Sequence, residues 1–318
     1  MVTLEIEQIA PTVMEAVAQH APLRPGAAPI WIIQDRVRQK DWLAEHAFPV
    51  GEFRHAESAD DVKAAVTALG ACIVKSAHGG YDGRGQAHLA QPADAARAWE
   101  AVGARRSVVE QRLDLAQEFS VLVARRADGQ MAVYPPARNH HSSGVLAWSV
   151  LPADVPKDVA RTGAEIALGI AEGLEIVGLL AVELFLTTDG RVLVNELAPR
   201  PHNTYHASER ACATSQFEQL VRAVCGLPLG APTLVSAGAI ANLLGDLWLA
   251  DAPPDVPGAL EIATARVHLY GKRSAREGRK MGHLSAVGQS GPEALGRALD
   301  AYDRFRPAAC AAIERPQG

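Results

Sequence analysis

The sequence lacks paired cysteines. Its four, Cys72, Cys212, Cys225 and Cys310, are scattered without CxxC spacing, so they read as reduced thiols and exclude a disulfide framework or a zinc site. No apolar run approaches the roughly 18 residues that span a bilayer. The N-terminus, MVTLEIEQIAP, carries acids early and lacks a basic region followed by an apolar stretch, so it does not read as a signal peptide. The expectation is a cytoplasmic protein with no membrane partner. Positive charge is not in surplus either: the net charge of -5 argues against a general polyanion binder, and no nucleic-acid partner is expected. Internal repeats and low-complexity tracts are absent.

What remains is the composition of a globular enzyme, with 48% hydrophobic and 21% charged residues. A chain of 318 residues suits two or three packed subdomains. Residues 1–9 alternate in strand fashion and run into a helix around Thr12–His20. The segment APLRPGAAP (21–29) reads as a linker. Helices are expected near Gln34–His46 and from Ser58 to Leu69, the second capped by Ser58 with Asp60 and Asp61 in its first turn. Strands are expected at Ala71–Lys75, 86–90, 107–111, 118–126 and 130–135. A long helix at 156–174, a hairpin at 180–197 and a helix near 208–225 follow. After GLPLGAPT (226–233) the chain turns strand-rich, with a hairpin around 263–287 and a final amphipathic helix near 291–314. This alternation predicts an α/β (α+β) fold.

The most informative stretch is LLAVELFLTTDGRVLVNELAPR (179–200). Two apolar runs flank Asp189-Gly190, a dipeptide that favours a two-residue type I′ hairpin. That turn pairs Glu183 with Glu196, Phe185 with Val194 and Leu184 with Asn195. Directly opposed residues have Cβ atoms about 4.5–5.5 Å apart, and like charges there repel. Two carboxylates in an apolar hairpin need a cation or a shared proton. Mg²⁺ carrying substrate phosphates resolves the repulsion; the other reading is one Glu in solvent or paired with Arg200.

A second feature is ACIVKSAHGGYDGRGQAHLA (71–90), where Lys75 ends a strand and a glycine-dense loop follows. Glycines let successive N–H groups wrap a phosphate chain, and Lys75 adds a point charge. No Gly-Lys-Ser/Thr opens a helix here, and the following segment looks like a strand. That excludes both a Walker A loop and a dinucleotide fingerprint, and favours a strand–flap–strand over a nucleotide. Between loop and hairpin, Glu110 ends one strand and Glu118 begins the next. They can serve adenine and ribose hydroxyls or be solvated strand-end acids. The segment YGKRSAREGRKMGH (270–283) offers cations suited to a ribose phosphate, or forms a solvated basic loop.

In this order the parts resemble the ATP-grasp enzymes, and within them the 5-(carboxyamino)imidazole ribonucleotide synthase family. The matching segments are TLEIE (3–7), QDRVRQK (34–40), GGYDGRGQ (79–86), VEQRLDLAQEFSV (109–121), ARNHHSSGVL (137–146), AVELF (181–185), NELAPRPHNTYH (195–206) and GRKMGH (278–283). The resemblance implies an ATP-grasp fold with a small strand-rich C-terminal domain. It implies an ATP- and Mg²⁺-dependent ligase of purine biosynthesis that carboxylates aminoimidazole ribonucleotide with bicarbonate through carboxyphosphate, and it suggests a homodimer. Alternatives are another ATP-grasp carboxylate–amine ligase or a non-catalytic nucleotide-binding protein.

Position by position, the resemblance implies that Arg36, Lys75, Gly80, Tyr81, Asp82, Gly83, Arg84, Gly85, Gln86, Glu110, Gln111, Arg112, Leu113, Glu118 and His141 bind ATP. Glu183 and Glu196, with Asn195, would hold metal and phosphates. Glu5, Tyr81, Arg200 and Lys280 would be catalytic; His202, Asn203, Lys272, Arg279 and Lys280 would hold the anionic substrate. The expected organisation is a remnant of an N-terminal domain with its linker (1–28), the ATP-grasp domain (29–230) and the C-terminal domain (231–318). The family's glycine-rich opening strand–turn–helix has no counterpart, so a fragment or a shortened variant is expected.

Overall fold

The computed structural model describes residues 1–80 and 85–316. The chain begins with helices α1 (Pro11–Ala18), α2 (Ala27–Ile33) and α3 (Arg36–Glu45). Asp35 stops α2 and starts α3, its carboxylate accepting from the N–H groups of Val37 and Arg38 at 2.9 and 3.0 Å. Strand β1 (Phe53–Ala56), helix α4 (Ala59–Leu69), β2 (Cys72–Ser76), β3 (Gln86–Leu89), helix α5 (Ala95–Ala101) and β4 (Ser107–Gln111) then build a small lobe. Its antiparallel sheet runs β1-β4-β2-β3. Val62, Ala65, Val66 and Leu69, at helical spacing on α4, pack on Cys72, Val74 and Val109 of that sheet.

The large sheet takes β5 (Leu115–Arg125), β6 (Met131–Val133), β7 (Ala137–Ser142) and β8 (Val145–Leu151). After helix α6 (Lys157–Gly173) come β9 (Gly178–Thr187) and β10 (Val192–Ala198), then helices α7 (Ser208–Ala211) and α8 (Gln216–Cys225). Strand β11 (Ala237–Leu244), helix α9 (Val256–Leu260), strands β12 (Arg266–Leu269) and β13 (Lys280–Gly288), and helix α10 (Gly291–Phe305) complete the order. Among the described residues this sheet has nine strands, ordered β10-β9-β5-β7-β8-β11-β13-β12 with β6 beside β5. Because β11 pairs with β8 as well as β13, the C-terminal strands extend the same sheet.

Both faces of the sheet are buried, and the period-two rule sorts its side chains. Phe119, Val121, Val123, Leu180, Val182 and Leu184 face Ile166 and Ile170 of α6. Leu122, Ala124, Leu179 and Ala181 face Tyr205 and Ala211 on the other side. Leu295, Ala298, Leu299, Tyr302 and Phe305 form the stripe that seats α10 on β11 and β13. No helix among the described residues is long and apolar enough to cross a membrane.

Several expectations are corrected. Residues 1–9 form no strand: Val2 makes one parallel bridge to Leu23, and without a neighbouring strand alternation alone cannot satisfy a backbone. The expected linker already contains the first turn of α2. The helix expected over 208–225 is two helices, because Cys212 bridges to Leu234 and Ser215 starts a new helix by accepting from the Glu218 N–H. The final helix ends at Phe305 rather than near 314. The β7–β8 hairpin is an additional element.

The central hairpin differs in a way that matters for function. Asp189-Gly190 does not form a two-residue turn. The Gly190 N–H donates to the Thr187 carbonyl at 3.0 Å, Thr187 pairs with Arg191, and only Gly190 takes a positive φ, of 87°. A three-residue loop of this kind shifts the register by one, so Phe185 faces Leu193 and Leu184 faces Val194. A β-bulge at Asn195 then shifts it back, and Glu183 faces Glu196 as expected.

Candidate active site

Between the small sheet and the β10 side of the large sheet lies a cleft of about 460 Å³. Its floor is a set of buried charges. The Glu110 carboxylate on β4 sits 3.1 Å from Lys75 Nζ and 3.4 Å from Lys40 Nζ. Burial pushes this carboxyl up, but the two ammonium groups together hold it down at about 2. Burial likewise pulls Lys40 below its ordinary value, with Glu110 opposing it. Lys75 Nζ also donates to Asn195 Oδ1 at 3.3 Å, and Asn195 Nδ2 donates to Glu183 Oε2 at 3.3 Å. The bulged residue thus links the phosphate-type lysine to the acid pair.

Glu183 is raised above the ordinary carboxyl value, first by burial; His141 opposes this, and Glu196 and Glu118 reinforce it. Its Oε1 lies 3.3 Å from His202 Nε2. A relay fixes that imidazole: Ser120 Oγ donates to Thr204 Oγ1 at 2.9 Å, and Thr204 Oγ1 lies 2.9 Å from His202 Nδ1. The ring thus bridges the Thr204 hydroxyl at Nδ1 and the Glu183 carboxylate at Nε2. Burial, then Arg200 and Lys280, hold His202 well below its ordinary value, so the ring is neutral.

Arg36, in the first turn of α3, donates to the carbonyls of Gly80 at 2.7 Å and Ser76 at 3.1 Å and lies 3.6 Å from Glu196. It anchors one end of the glycine loop beside the acid pair. Gln86 lines the cleft, and the Gly85 carbonyl accepts from the Ser76 N–H at 2.8 Å. Gln111, Arg112 and Leu113 form its edge. Glu118 and His141, on neighbouring strands, meet at 2.5 Å. Burial works against charge on His141, but the Glu118 hydrogen bond, then Glu183, carry it above 6.5.

Arg200 grips Glu7, with Nε 2.6 Å from Oε2. Asn203 lines the cleft and donates to Asn242 at 3.0 Å, while its buried Oδ1 has no hydrogen-bond partner among the described residues. Lys280, at the start of β13, also lines the cleft.

Three expected residues lie elsewhere. Glu5 is exposed and outside the lining, where Glu7 stands instead. Lys272, exposed, and Arg279, half-buried, are outside it too; Lys272 Nζ donates to the Lys280 carbonyl at 2.6 Å and Arg279 Nη1 to the Ser274 carbonyl at 2.8 Å. Tyr81, Asp82, Gly83 and Arg84 lie outside the described residues. Lys40, Glu7 and Thr204 are cleft residues that sequence reasoning missed. Lys40 had a signal: four residues after Arg36 on one helix, it shares that residue's face.

The donor set at the acid pair is hard oxygen: two opposed carboxylates and a nearby amide. Such a pair suits Mg²⁺ that draws its other ligands from phosphates and water, and soft or tetrahedral metals want nitrogen and sulfur instead. Among the described residues, no group of three or more His, Cys, Asp or Glu is arranged to hold a metal unaided.

Residues 41–217 match the ATP-grasp domain, and residues 238–297 match the phosphoribosylaminoimidazole carboxylase C-terminal domain. The chain is 37% identical over 291 residues to the N5-carboxyaminoimidazole ribonucleotide synthase of Bacillus subtilis, covering 91% of this chain and 75% of that protein. The chain belongs to the N5-carboxyaminoimidazole ribonucleotide synthase family of ATP-grasp enzymes. The Mycobacterium bovis enzyme of that name is 38% identical over 302 residues, covering 91% and 69% of the two chains. Among solved structures, an ADP complex of an N5-carboxyaminoimidazole ribonucleotide synthetase superposes with a TM-score of 0.86 at 34% identity, over 95% of this chain and 80% of that one. The Aspergillus clavatus enzyme, crystallised with ADP and 5-aminoimidazole ribonucleotide, also gives 0.86, at 27% identity over 96% and 81%. The antiparallel sheets and strand-rich C-terminal end are the family's ATP-grasp fold.

Proposed function

We propose that the chain carboxylates 5-aminoimidazole ribonucleotide with bicarbonate at the expense of ATP, giving N5-carboxyaminoimidazole ribonucleotide, ADP and phosphate in purine biosynthesis. Family membership supports the ligase chemistry. The observation that carries the reading to this cleft is the opposition of Glu183 and Glu196 beside Lys75 and the glycine loop. Bicarbonate oxygen attacks the γ-phosphorus, the bond to the β-phosphate oxygen breaks, and ADP leaves. The resulting carboxyphosphate releases carbon dioxide, which the exocyclic amine captures. Lys75 and the loop amides stabilise charge on the transferring group. Mg²⁺, held by Glu183 and Glu196, would neutralise phosphate charge. Glu110 and Glu118 with the edge 111–113 take the nucleoside, while Arg200, His202, Asn203 and Lys280 take the anionic substrate end.

Water must be kept from the reacting groups, because carboxyphosphate hydrolyses in it. Tyr81, Asp82, Gly83 and Arg84 would contribute to ATP binding in this reading. We assign residues 1–28, 29–230 and 231–318 to an N-terminal segment, the ATP-grasp domain and the C-terminal domain. A homodimer in the cytoplasm fits the family. In the test, ADP release is followed with each substrate omitted in turn. Full rate should need both bicarbonate and aminoimidazole ribonucleotide; equal release without either overturns the substrate assignment.

A further inference from the structure

β10 is the edge strand of the large sheet, so half of its backbone groups point away from β9. At the bulge these outward groups are taken by side chains and a loop rather than by a strand. Val194 N–H donates to the Pro49 carbonyl at 2.7 Å. The Val194 carbonyl accepts from Lys40 Nζ at 3.3 Å. On the far side of the bulge, Leu197 N–H donates to Gln39 Oε1 at 3.2 Å. Two consecutive residues of α3 therefore bracket Asn195 and Glu196, one from each side.

Both side chains are built in, Gln39 at 2% exposed and Lys40 at 3%. Gln39 Nε2 is spent on the Ile33 carbonyl at 3.1 Å, which orients its oxygen toward Leu197. Lys40 also pairs with Glu110, the carboxylate it shares with Lys75. One ammonium thus ties β4 of the small sheet to β10 of the large one. The bulge needs such a tie: an extra residue on one strand weakens the ladder locally, and the side chains it redirects are only as well placed as its backbone.

We propose that Gln39 and Lys40 are positioning residues, a latch from α3 that holds the Asn195–Glu196 bulge in the geometry required for divalent-metal and phosphate binding. The inference rests on the reading of the cleft given above. Neither side chain needs to touch the metal; each acts through the backbone of β10, and Lys40 acts also through Glu110 on Lys75. Outer partners of metal ligands typically change affinity or activity by about 10–100-fold when removed.

The test uses Mn²⁺ with ADP as the probe, its affinity read from water-proton relaxation, beside amide exchange at Leu197 and thermal unfolding. Gln39→Met removes the acceptor for Leu197 and keeps the volume. Lys40→Met removes the donor to Val194. Both should weaken Mn²⁺–ADP binding about 10–100-fold, and Gln39→Met should speed Leu197 exchange. Gln39→Glu, held protonated in this buried site, keeps an acceptor oxygen for Leu197 and a hydroxyl donor for the Ile33 carbonyl, so its Mn²⁺–ADP affinity should return to near wild type. Folded Met variants that bind Mn²⁺–ADP as wild type does would overturn the latch. So would equal weakening in Gln39→Glu and Gln39→Met, which would assign the effect to general packing of α3. Wild-type protein that binds no Mn²⁺–ADP would instead overturn the reading of the cleft, and the metal half of this proposal with it. If Gln39→Met does not fold, Lys40→Met and Gln39→Glu decide the matter by the same affinities.

Discussion

The floor of the cleft and the basic loop after β12 hold comparable numbers of charged groups in opposite physical situations. On the floor, Lys40, Lys75, Glu110, Glu183 and Asn195 are buried or half-buried and joined by contacts of 3.1–3.4 Å. A buried charge without partners is costly, so folding itself must assemble this network. In the loop, Lys272 is exposed, Arg279 is half-buried, and both bond to carbonyls of their own segment. Water can replace those contacts at little cost, so folding does not fix where these cations point. Preorganised charge belongs to the phosphate and metal end of the cleft; adjustable charge lies at its rim.

That contrast is broken most severely at Glu110. Glu110→Gln leaves two ammonium groups facing each other in a buried site, and the expected loss of stability is about 3–5 kcal/mol. The pH dependence has a definite sign. The folded carboxyl sits at about 2 against an ordinary 4.5, so its stabilisation is complete above the ordinary value and is lost as pH falls toward the folded one. Urea unfolding should show a wide gap between wild type and variant at neutral pH and a narrower gap midway between those two values. A gap independent of pH would mean that the charge is not what stabilises the floor.

Next is Glu183→Gln, which removes one carboxylate of the opposed pair. Metal-dependent turnover should fall about 10²–10³-fold, as when a preorganised electrostatic group is deleted, with unfolding little changed. Glu196→Gln should behave alike. Because burial raises the Glu183 carboxyl, it keeps its proton to a higher pH than an ordinary one, and a metal must displace that proton. Half-maximal activation by Mg²⁺ should therefore need more metal as pH is lowered, beginning above the ordinary carboxyl range. Wild-type turnover in both variants would remove the metal pair from the mechanism.

A smaller effect is expected where the floor meets solvent. Glu118→Gln should cost about 1.5–3 kcal/mol, the range for a hydrogen bond to a charged group. His141 is raised in the fold, so this contribution is full below its ordinary 6.5 and is lost as pH climbs through the higher folded value. The wild-type advantage over the variant should shrink on the alkaline side.

These regions also differ in how far the amino-acid order reveals them. Helix caps at Ser58, Ser215 and Ser290 are local, and each has an acid three residues on; only the first is named from the sequence, and without the second α7 merges with α8. The glutamate pairing was legible by compensation. A two-residue turn was assumed where a three-residue loop stands, and the unforeseen bulge at Asn195 restores the register just before Glu196. A bulge depends on what the edge of β10 meets, namely α3 and the loop at Pro49, and no periodicity within 179–200 records those neighbours. The same blindness explains Glu7: strand alternation puts Glu5 and Glu7 on one face, but no strand forms there, and the Arg200 contact selects Glu7. Lys40 shares the helix face of Arg36, but its burial is decided by Glu110, seventy residues away in sequence.

The weakest perturbation tests the other side of the contrast. Lys272→Ala and Arg279→Ala should each change unfolding free energy by no more than about 0.5 kcal/mol, because solvent takes over their contacts. If the rim cations act on the anionic substrate, the Michaelis constant for aminoimidazole ribonucleotide should rise a few-fold and fall in line with wild type at high salt, where screening removes long-range attraction. The constant for ATP should stay unchanged, since the nucleotide end is served by the floor. An equal rise in both constants would place these cations on the floor's side of the comparison. No change in either would leave Lys280, which does line the cleft, as the only one of the three acting on substrate.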